Sequence, residues 1–281
     1  MIAQAFEYSR PATLAEALEL LSDESSKPLA GGMSLIPMMK LRLAAPGRLI
    51  DLSRIPGLDT IAESGGRIRI GALATHYGVE SSALIRAKCP LLAETAGCIG
   101  DVQVRNSGTV GGSVAHADPS SDYPAALLAL EATVHLVGRG GRRSLPYVEF
   151  LLDTFTTALE PGELVEAIDV PVDDKTTGSA YQKLVQPASG FAIVGVAARI
   201  TVTSGVVTGA RIGVTGLGGK AYRAGNVESS LLAGNDAARA ASVVSDGIEA
   251  NSDLHASANY RSQMAKVYCA RAIATASSRA S

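Results

Sequence analysis

An α+β fold in two domains is what this sequence predicts, and three observations carry the prediction. A capped amphipathic helix and short apolar strands flank a Gly-Gly patch near the N-terminus. Alternating segments with glycine turns follow between Ile61 and Val137. A polar break at Val172–Ser179 then separates these from a long hairpin and alanine-rich helices. Period-2 alternation marks half-buried strands, and the 3.6-residue period marks helices.

The first helix begins at a capping box, Thr13 followed by Glu16, and Leu14, Ala17, Leu18 and Leu21 form its apolar face. Lys27-Pro28-Leu29-Ala30 leads into the glycines, and Leu35 to Leu41 reads as a short helix with Pro37 in its first turn. Arg48 to Leu52 reads as a strand, so residues 1–54 make a β-α-β unit whose second helix opens on the glycine patch. Ile61–Glu63 and Arg67–Ile70 pair around Ser64-Gly65-Gly66, and Val134–Val137 runs into a similar turn at Gly138-Arg139-Gly140-Gly141. Tyr123 to Leu130 is an apolar helix with Ser121 or Asp122 as its cap. Beyond the polar break, Ala192–Val202 and Val206–Val214 form a hairpin around Thr203-Ser204-Gly205, and the tail Thr275–Ser281 is expected to fray.

With 281 residues, 47% of them hydrophobic, the chain can bury a core in each of two domains. A net charge of −2, no basic stripe and no tryptophan exclude a nucleic-acid platform. Nothing resembles a signal peptide or the roughly 18 uninterrupted apolar residues of a membrane span, which predicts a cytoplasmic protein with no integral membrane segment. The three cysteines (Cys89, Cys98, Cys269) and four histidines (His76, His116, His135, His255) have no metal-ligand spacing. Any metal in this protein's chemistry is expected on another chain.

Two patches hold the chemistry: Ala30-Gly31-Gly32-Met33-Ser34, leading into Leu35, and Thr109-Val110-Gly111-Gly112-Ser113. Paired glycines beside a small hydroxyl residue can bring amide N–H groups into one anion-binding concavity. Two such patches suggest one ligand with two phosphates, a dinucleotide. The competing reading is plain turn chemistry, the usual use of Gly-Gly.

The neighbouring residues decide between these. Arg105-Asn106 precedes the second patch and Ser121-Asp122-Tyr123-Pro124 follows it. With the AGGxS and TxGG strings, and with Arg48 to Leu52, Tyr181-Gln182-Lys183 and Tyr222-Arg223-Ala224, the whole chain resembles the FAD-binding medium subunit of the molybdenum hydroxylases. That family holds aerobic carbon monoxide dehydrogenase and the xanthine dehydrogenases. The resemblance implies a vanillyl-alcohol-oxidase-like (PCMH-type) FAD-binding domain over 1–175, made of a β-α-β part (1–54) and an antiparallel-sheet part (55–175). It implies a C-terminal α+β domain with a small antiparallel sheet over 176–281.

The implied function is electron transfer inside a heteromeric oxidoreductase. A large subunit carries the molybdopterin cofactor, a small subunit carries two 2Fe–2S clusters, and FAD on this chain delivers electrons to an external acceptor. The assembly expected is a dimer of heterotrimers. Carried over residue by residue, Ala30 to Leu35 and Thr109 to Ser113 cradle the FAD diphosphate from two sides. Asp122 lies near the adenosine end, and Lys183 near the flavin ring. No catalytic acid, base or nucleophile is expected here, because the cofactor does the redox chemistry. Ser113 departs from the Asp or Asn common in the family at that position, and Gly190-Phe191 departs from a step that is acidic in many relatives. The first patch favours the carbon-monoxide-dehydrogenase-like branch, although a flavin subunit does not identify the substrate oxidised at molybdenum. The alternatives are a self-sufficient flavoprotein acting on its own substrate and a scaffold that has lost FAD.

Two features imitate sites. Gly213 to Gly219 follows a strand but lacks G-x-G-x-x-G spacing, so it is expected to be a turn in the C-terminal domain. His116 imitates a proton carrier beside the second patch.

Overall fold

In a computed structural model, residues 2–280 are described and build three larger sheets and one two-stranded sheet, with helices between them. The N-terminal sheet is parallel. Its strands β1 (Glu7–Ser9), β2 (Ser26–Leu29) and β3 (Arg48–Asp51) lie in the order β1-β3-β2. Central β3 buries Leu49 and Ile50 on opposite faces, as a covered parallel strand does. Pro28 is tolerated because β2 is an edge strand. Helix α1 (Leu14–Leu20) has the expected capping box: Glu16 N–H donates to Thr13 Oγ1 at 3.2 Å, and Thr13 N–H donates to the Glu16 carboxylate at 3.3 Å. Ala17, Leu18 and Leu21 pack on Ile50 and also on Val137 and Leu164 of the second sheet. Helix α2 (Leu35–Lys40) follows the first glycine patch.

The second sheet is antiparallel, with β4 (Ile61–Ser64), β5 (Arg67–Gly71), β6 (Thr133–Gly138), β7 (Gly141–Pro146) and, two short strands later, β10 (Leu164–Pro171) in the order β4-β5-β10-β6-β7. Gly65 and Gly66 both take positive φ at the β4–β5 turn, which the steeply twisted two-residue hairpin requires. The short pair β8 (Leu151–Asp153) and β9 (Thr156–Thr157) stands apart. Between β5 and β6 come α3 (His76–Ser81), α4 (Ala83–Lys88), α5 (Pro90–Gly97), α6 (Val102–Ser107), α7 (Val110–His116) and α8 (Tyr123–Ala129). These form the largest core. Every residue of α8 is buried, and Asp122 holds its N-cap position, but the Asp122 side chain caps nothing. The expected capping role is corrected: the carboxylate is spent elsewhere, as described below.

The C-terminal sheet is antiparallel, β11 (Thr177–Val185), β12 (Ala192–Thr203), β13 (Val206–Thr215) and β14 (Tyr222–Arg223), in that order. Helices α10 (Gly225–Leu232), α11 (Ala237–Ala241) and α12 (Ala258–Arg279) complete its core, with α9 (Tyr147–Phe150) lying earlier in the chain. Two close approaches explain glycines here. A Cβ on Gly213 would meet the Ala125 carbonyl of α8 at 2.0 Å, and one on Gly178 would meet the Ala276 carbonyl of α12 at 2.0 Å. The expected fraying of Thr275–Ser281 is overturned as far as Arg279, Ser281 being outside the described residues. Helix α12 runs to Arg279 because Ala276 is fully buried and Arg279 donates to Ser179 O and to Glu94, each at 2.6 Å. The Gly213–Gly219 segment is the end of β13 and the turn after it, tied down by Arg261 donating to Gly216 O at 2.8 Å. No helix is long and apolar enough to cross a membrane, and no metal-binding cluster occurs among the described residues.

Candidate functional site

A cleft of about 1530 Å³ runs between the N-terminal unit and the second sheet with its helices. It exceeds the roughly 300–1,000 Å³ of an ordinary small-ligand pocket, which suits an extended ligand. Both glycine patches meet there. Ala30, Gly31, Met33, Ser34 and Leu35 line it from one side, and Thr109, Gly111, Gly112 and Ser113 from the other. Gly32 and Val110 stand behind these surfaces.

The first patch is an open turn between β2 and α2. Gly32 has φ +72°, a left-handed conformation that glycine adopts without penalty. Gly31 is glycine for space: a Cβ there would lie 2.1 Å from Ser107 O and 2.6 Å from Gly108 Cα. None of the amides of Gly31, Gly32, Met33, Ser34 and Leu35 donates to an acceptor among the described residues. Ser34 sits at the N-cap position of α2 and its hydroxyl caps nothing, so that O–H is also free. Unmatched donors gathered on a cleft wall need an anion or water.

The second patch is different, and here the expected amide cradle is corrected. It follows helix α6 rather than a strand, and its amides are already used. Val110 N–H donates to Ala74 O (3.0 Å), Gly111 N–H to Ala72 O (2.8 Å), Gly112 N–H to Thr109 Oγ1 (3.1 Å) and Ser113 N–H to Thr109 O (3.0 Å). Gly111 is glycine because a Cβ would reach Ala72 Cβ at 2.4 Å. Val110 is wholly buried and serves packing. What this side offers is hydroxyl groups and space. Thr109 Oγ1 accepts from Gly112 and keeps its own proton to donate; Ser113 Oγ is 3.0 Å from Ser121 Oγ. A Cβ on Gly112 would meet Thr109 Oγ1 at 2.9 Å and, across the cleft, Ala30 Cβ only at 3.8 Å. Open amides facing hydroxyls and bare glycine fit a diphosphate.

Asp122 and Lys183, expected near opposite ends of the cofactor, are instead partners. Lys183 Nζ donates to Asp122 Oδ2 at 2.9 Å, Cys98 O at 2.9 Å and Gly190 O at 2.6 Å, and Tyr181 O–H donates to Asp122 Oδ1 at 2.6 Å. An ammonium has three protons, and all three are engaged. Lys183 does not line the cleft, whereas Asp122 does. Burial pushes the Asp122 carboxyl up, while Lys183 and the Tyr181 hydroxyl pull it back. The pair ties the start of α8 to the α5–α6 turn and to the segment Ser189-Gly190-Phe191, which lines the cleft with Phe191 exposed. Sequence reading placed both residues in the site but missed that they answer each other, because they stand on separate elements.

His76 and Ser107 were not singled out. His76 is buried beneath the second patch: its backbone N–H donates to Gly108 O at 2.9 Å, and a Cβ on Gly108 would meet its ring Nε2 at 2.6 Å. Burial, then the Arg105 guanidinium, push its pKa down from 6.5 to about 4. The folded chain holds His76 neutral, while the unfolded chain protonates it below about 6.5. Stability is therefore full above that pH and falls between about 6.5 and 4, by roughly 3 kcal/mol, then levels. Urea unfolding across this window should show the loss, and His76→Gln should flatten it. His116 also lines the cleft, its ring 5.0 Å from that of Phe155. Phe155 is held at φ +50° with its N–H donating to Ala117 O. Among the described residues, no hydrogen-bond partner suited to proton relay stands beside the His116 side chain.

Comparison with known proteins agrees along the whole chain. Residues 4–173 match the family model described as the FAD binding domain in molybdopterin dehydrogenase, and residues 179–276 match the CO dehydrogenase flavoprotein C-terminal domain. The carbon monoxide dehydrogenase medium chain of Hydrogenophaga pseudoflava is 41% identical over 97% of each chain. The glyceraldehyde dehydrogenase medium chain of Sulfolobus acidocaldarius is 37% identical over 95% of this chain and 96% of the relative. The solved carbon monoxide dehydrogenase from Hydrogenophaga pseudoflava lacking the Mo-pyranopterin moiety superposes with a TM-score of 0.96, at 40% identity and full coverage of both chains.

Proposed function

We infer the working role from the family to which this chain belongs, the FAD-binding medium subunits of the molybdenum hydroxylases. The chain is the FAD-carrying electron-transfer subunit of a heteromeric, molybdopterin-dependent oxidoreductase. When bound, FAD supplies the link between the one-electron 2Fe–2S clusters of a small subunit and an external acceptor. The molybdopterin cofactor belongs to a large subunit. A dimer of heterotrimers in the cytoplasm is the assembly that this reading favours.

The single observation that carries the site is the row of unmatched amides at Gly31 to Leu35, in the same roughly 1530 Å³ cleft as the hydroxyl of Thr109. In this reading those amides and the Ser34 O–H donate to the diphosphate, and Thr109 donates from the opposite wall. Hydrogen bonds to a charged group contribute about 1.5–3 kcal/mol each, so several hold the cofactor without a covalent link. Ser113 takes the place of a longer acid or amide and reaches the ligand through Ser121 or directly. Asp122 and Lys183 act as a buried brace that fixes the wall carrying Phe191, which keeps water from that end of the cleft.

Neither the amide turn nor the hydroxyl wall reads a substrate. Relatives of nearly equal similarity are named for carbon monoxide and for glyceraldehyde, so the substrate is set on the large subunit. The test is to purify the chain with its natural partners and release the cofactor with acid. Non-covalent FAD, together with iron–sulfur absorbance that remains with the complex, is the expected result. A yellow chain that purifies alone and turns over a substrate would instead establish a self-sufficient flavoprotein.

A further inference from the structure

Three carbonyls of the first patch are tied, and each tie fixes an amide. The Gly31–Gly32 peptide is trans, as are all those described, so its C=O and N–H point in opposite directions. The same holds along the turn. Gly32 O accepts from Ile36 N–H at 3.0 Å, which turns the Met33 N–H the other way; Ser34 O accepts from Met38 N–H at 3.1 Å, which does the same for Leu35. Those two ties are local and come with helix α2. Gly31 O has no local donor. It is held by the Ser107 hydroxyl, which reaches it from the end of α6 at 2.9 Å, 76 residues away in sequence.

The contact is tight on both sides. Ser107 Oγ holds the Gly31 carbonyl, and the Ser107 carbonyl itself would lie only 2.1 Å from a Cβ on Gly31. Ser107 is half-buried, so water competes poorly for Gly31 O. We propose that Ser107 is a positioning residue for the cofactor: by holding Gly31 O, it fixes the Gly31–Gly32 peptide plane and with it the turn whose free amides meet the diphosphate. This rests on the FAD reading of the cleft. It places one determinant of diphosphate affinity on a residue that does not itself touch the ligand.

The test compares wild type, Ser107→Ala and Ser107→Thr in the complete heteromeric complex, first stripped of FAD. The probes are FAD and ADP, which shares the diphosphate and adenosine but has no flavin. Ser107→Ala is expected to weaken FAD and ADP by the same factor, about tenfold, the effect of one misdirected hydrogen bond. Ser107→Thr, which keeps the hydroxyl, is expected to stay within about threefold of wild type. The melting temperature of the flavin-free complex is expected to move little. Loss of FAD affinity with ADP unchanged would overturn the assignment, as would a Thr variant no better than Ala. A flavin-free complex destabilised in proportion to the lost affinity would overturn it too, making the bond a mere tie between units. A wild-type complex that binds neither probe would sink the FAD reading itself, a separate outcome.

Discussion

Gly31→Ala should empty the complex of FAD while Gly225→Ala leaves it full. The added methyl at residue 31 would stand 2.1 Å from Ser107 O and 2.6 Å from Gly108 Cα, both backbone atoms that no rotamer change can clear. Overpacking of this kind costs about 1–3 kcal/mol, and here it acts where the two halves of the site meet. The expected loss is a roughly 10- to 100-fold weaker hold on FAD, read as flavin per complex after gel filtration. Gly111→Ala should behave alike, since Ala72 stands in its way at 2.4 Å. Gly112→Ala should be milder, because it meets only side-chain atoms, Thr109 Oγ1 at 2.9 Å and Ala30 Cβ at 3.8 Å, and no backbone. Gly225, at the start of α10 and away from the cleft, has nothing within 4 Å and serves as the control. Full flavin in Gly31→Ala would remove the first patch from the site.

Lys183→Met should be the most destabilising of the conservative-sized changes. It leaves Asp122 buried, with Tyr181 as its one remaining hydrogen-bond donor among the described residues. Breaking a buried pair from one side costs about 3–5 kcal/mol, whereas replacing both partners is far less costly. The double variant Lys183→Met, Asp122→Asn should therefore recover most of the loss in urea unfolding. The single variant should also loosen Ser189–Phe191, since Gly190 O loses its donor. A single-variant cost below about 1 kcal/mol would show that the pair is not a brace.

Much of this was legible in the sequence where the signal was local. The capping box at Thr13 and Glu16, the Gly65-Gly66 turn and the hairpin around Thr203-Ser204-Gly205 each depend on neighbours a few residues apart, and each formed as read. Both glycine patches were placed on one cleft. Their different construction was hidden, because whether the Val110 and Gly111 amides are free depends on Ala74 and Ala72, far away in the chain. Helices α3 to α6 went unread: at six to eight residues each, they are too short for a periodic apolar face to emerge. The Asp122–Lys183 pair, and the Ser107 bond to Gly31, join residues on different elements, which spacing cannot reveal. The tail misled because alanine and serine near a terminus look unanchored, while Arg279 and the bare face of Gly178 dock it.

The central claim is that electrons leave the iron–sulfur clusters through FAD held on this chain. It is tested most directly by reducing the complete complex without oxygen, removing excess reductant, and mixing it rapidly with a quinone or dye acceptor. Cluster reoxidation should be fast in the FAD-loaded complex, at least a hundredfold slower after FAD is stripped (about 2.7 kcal/mol of barrier), and restored when FAD is added back. Equal reoxidation rates with and without FAD would contradict the account, because the clusters would then reach the acceptor without this chain's cofactor.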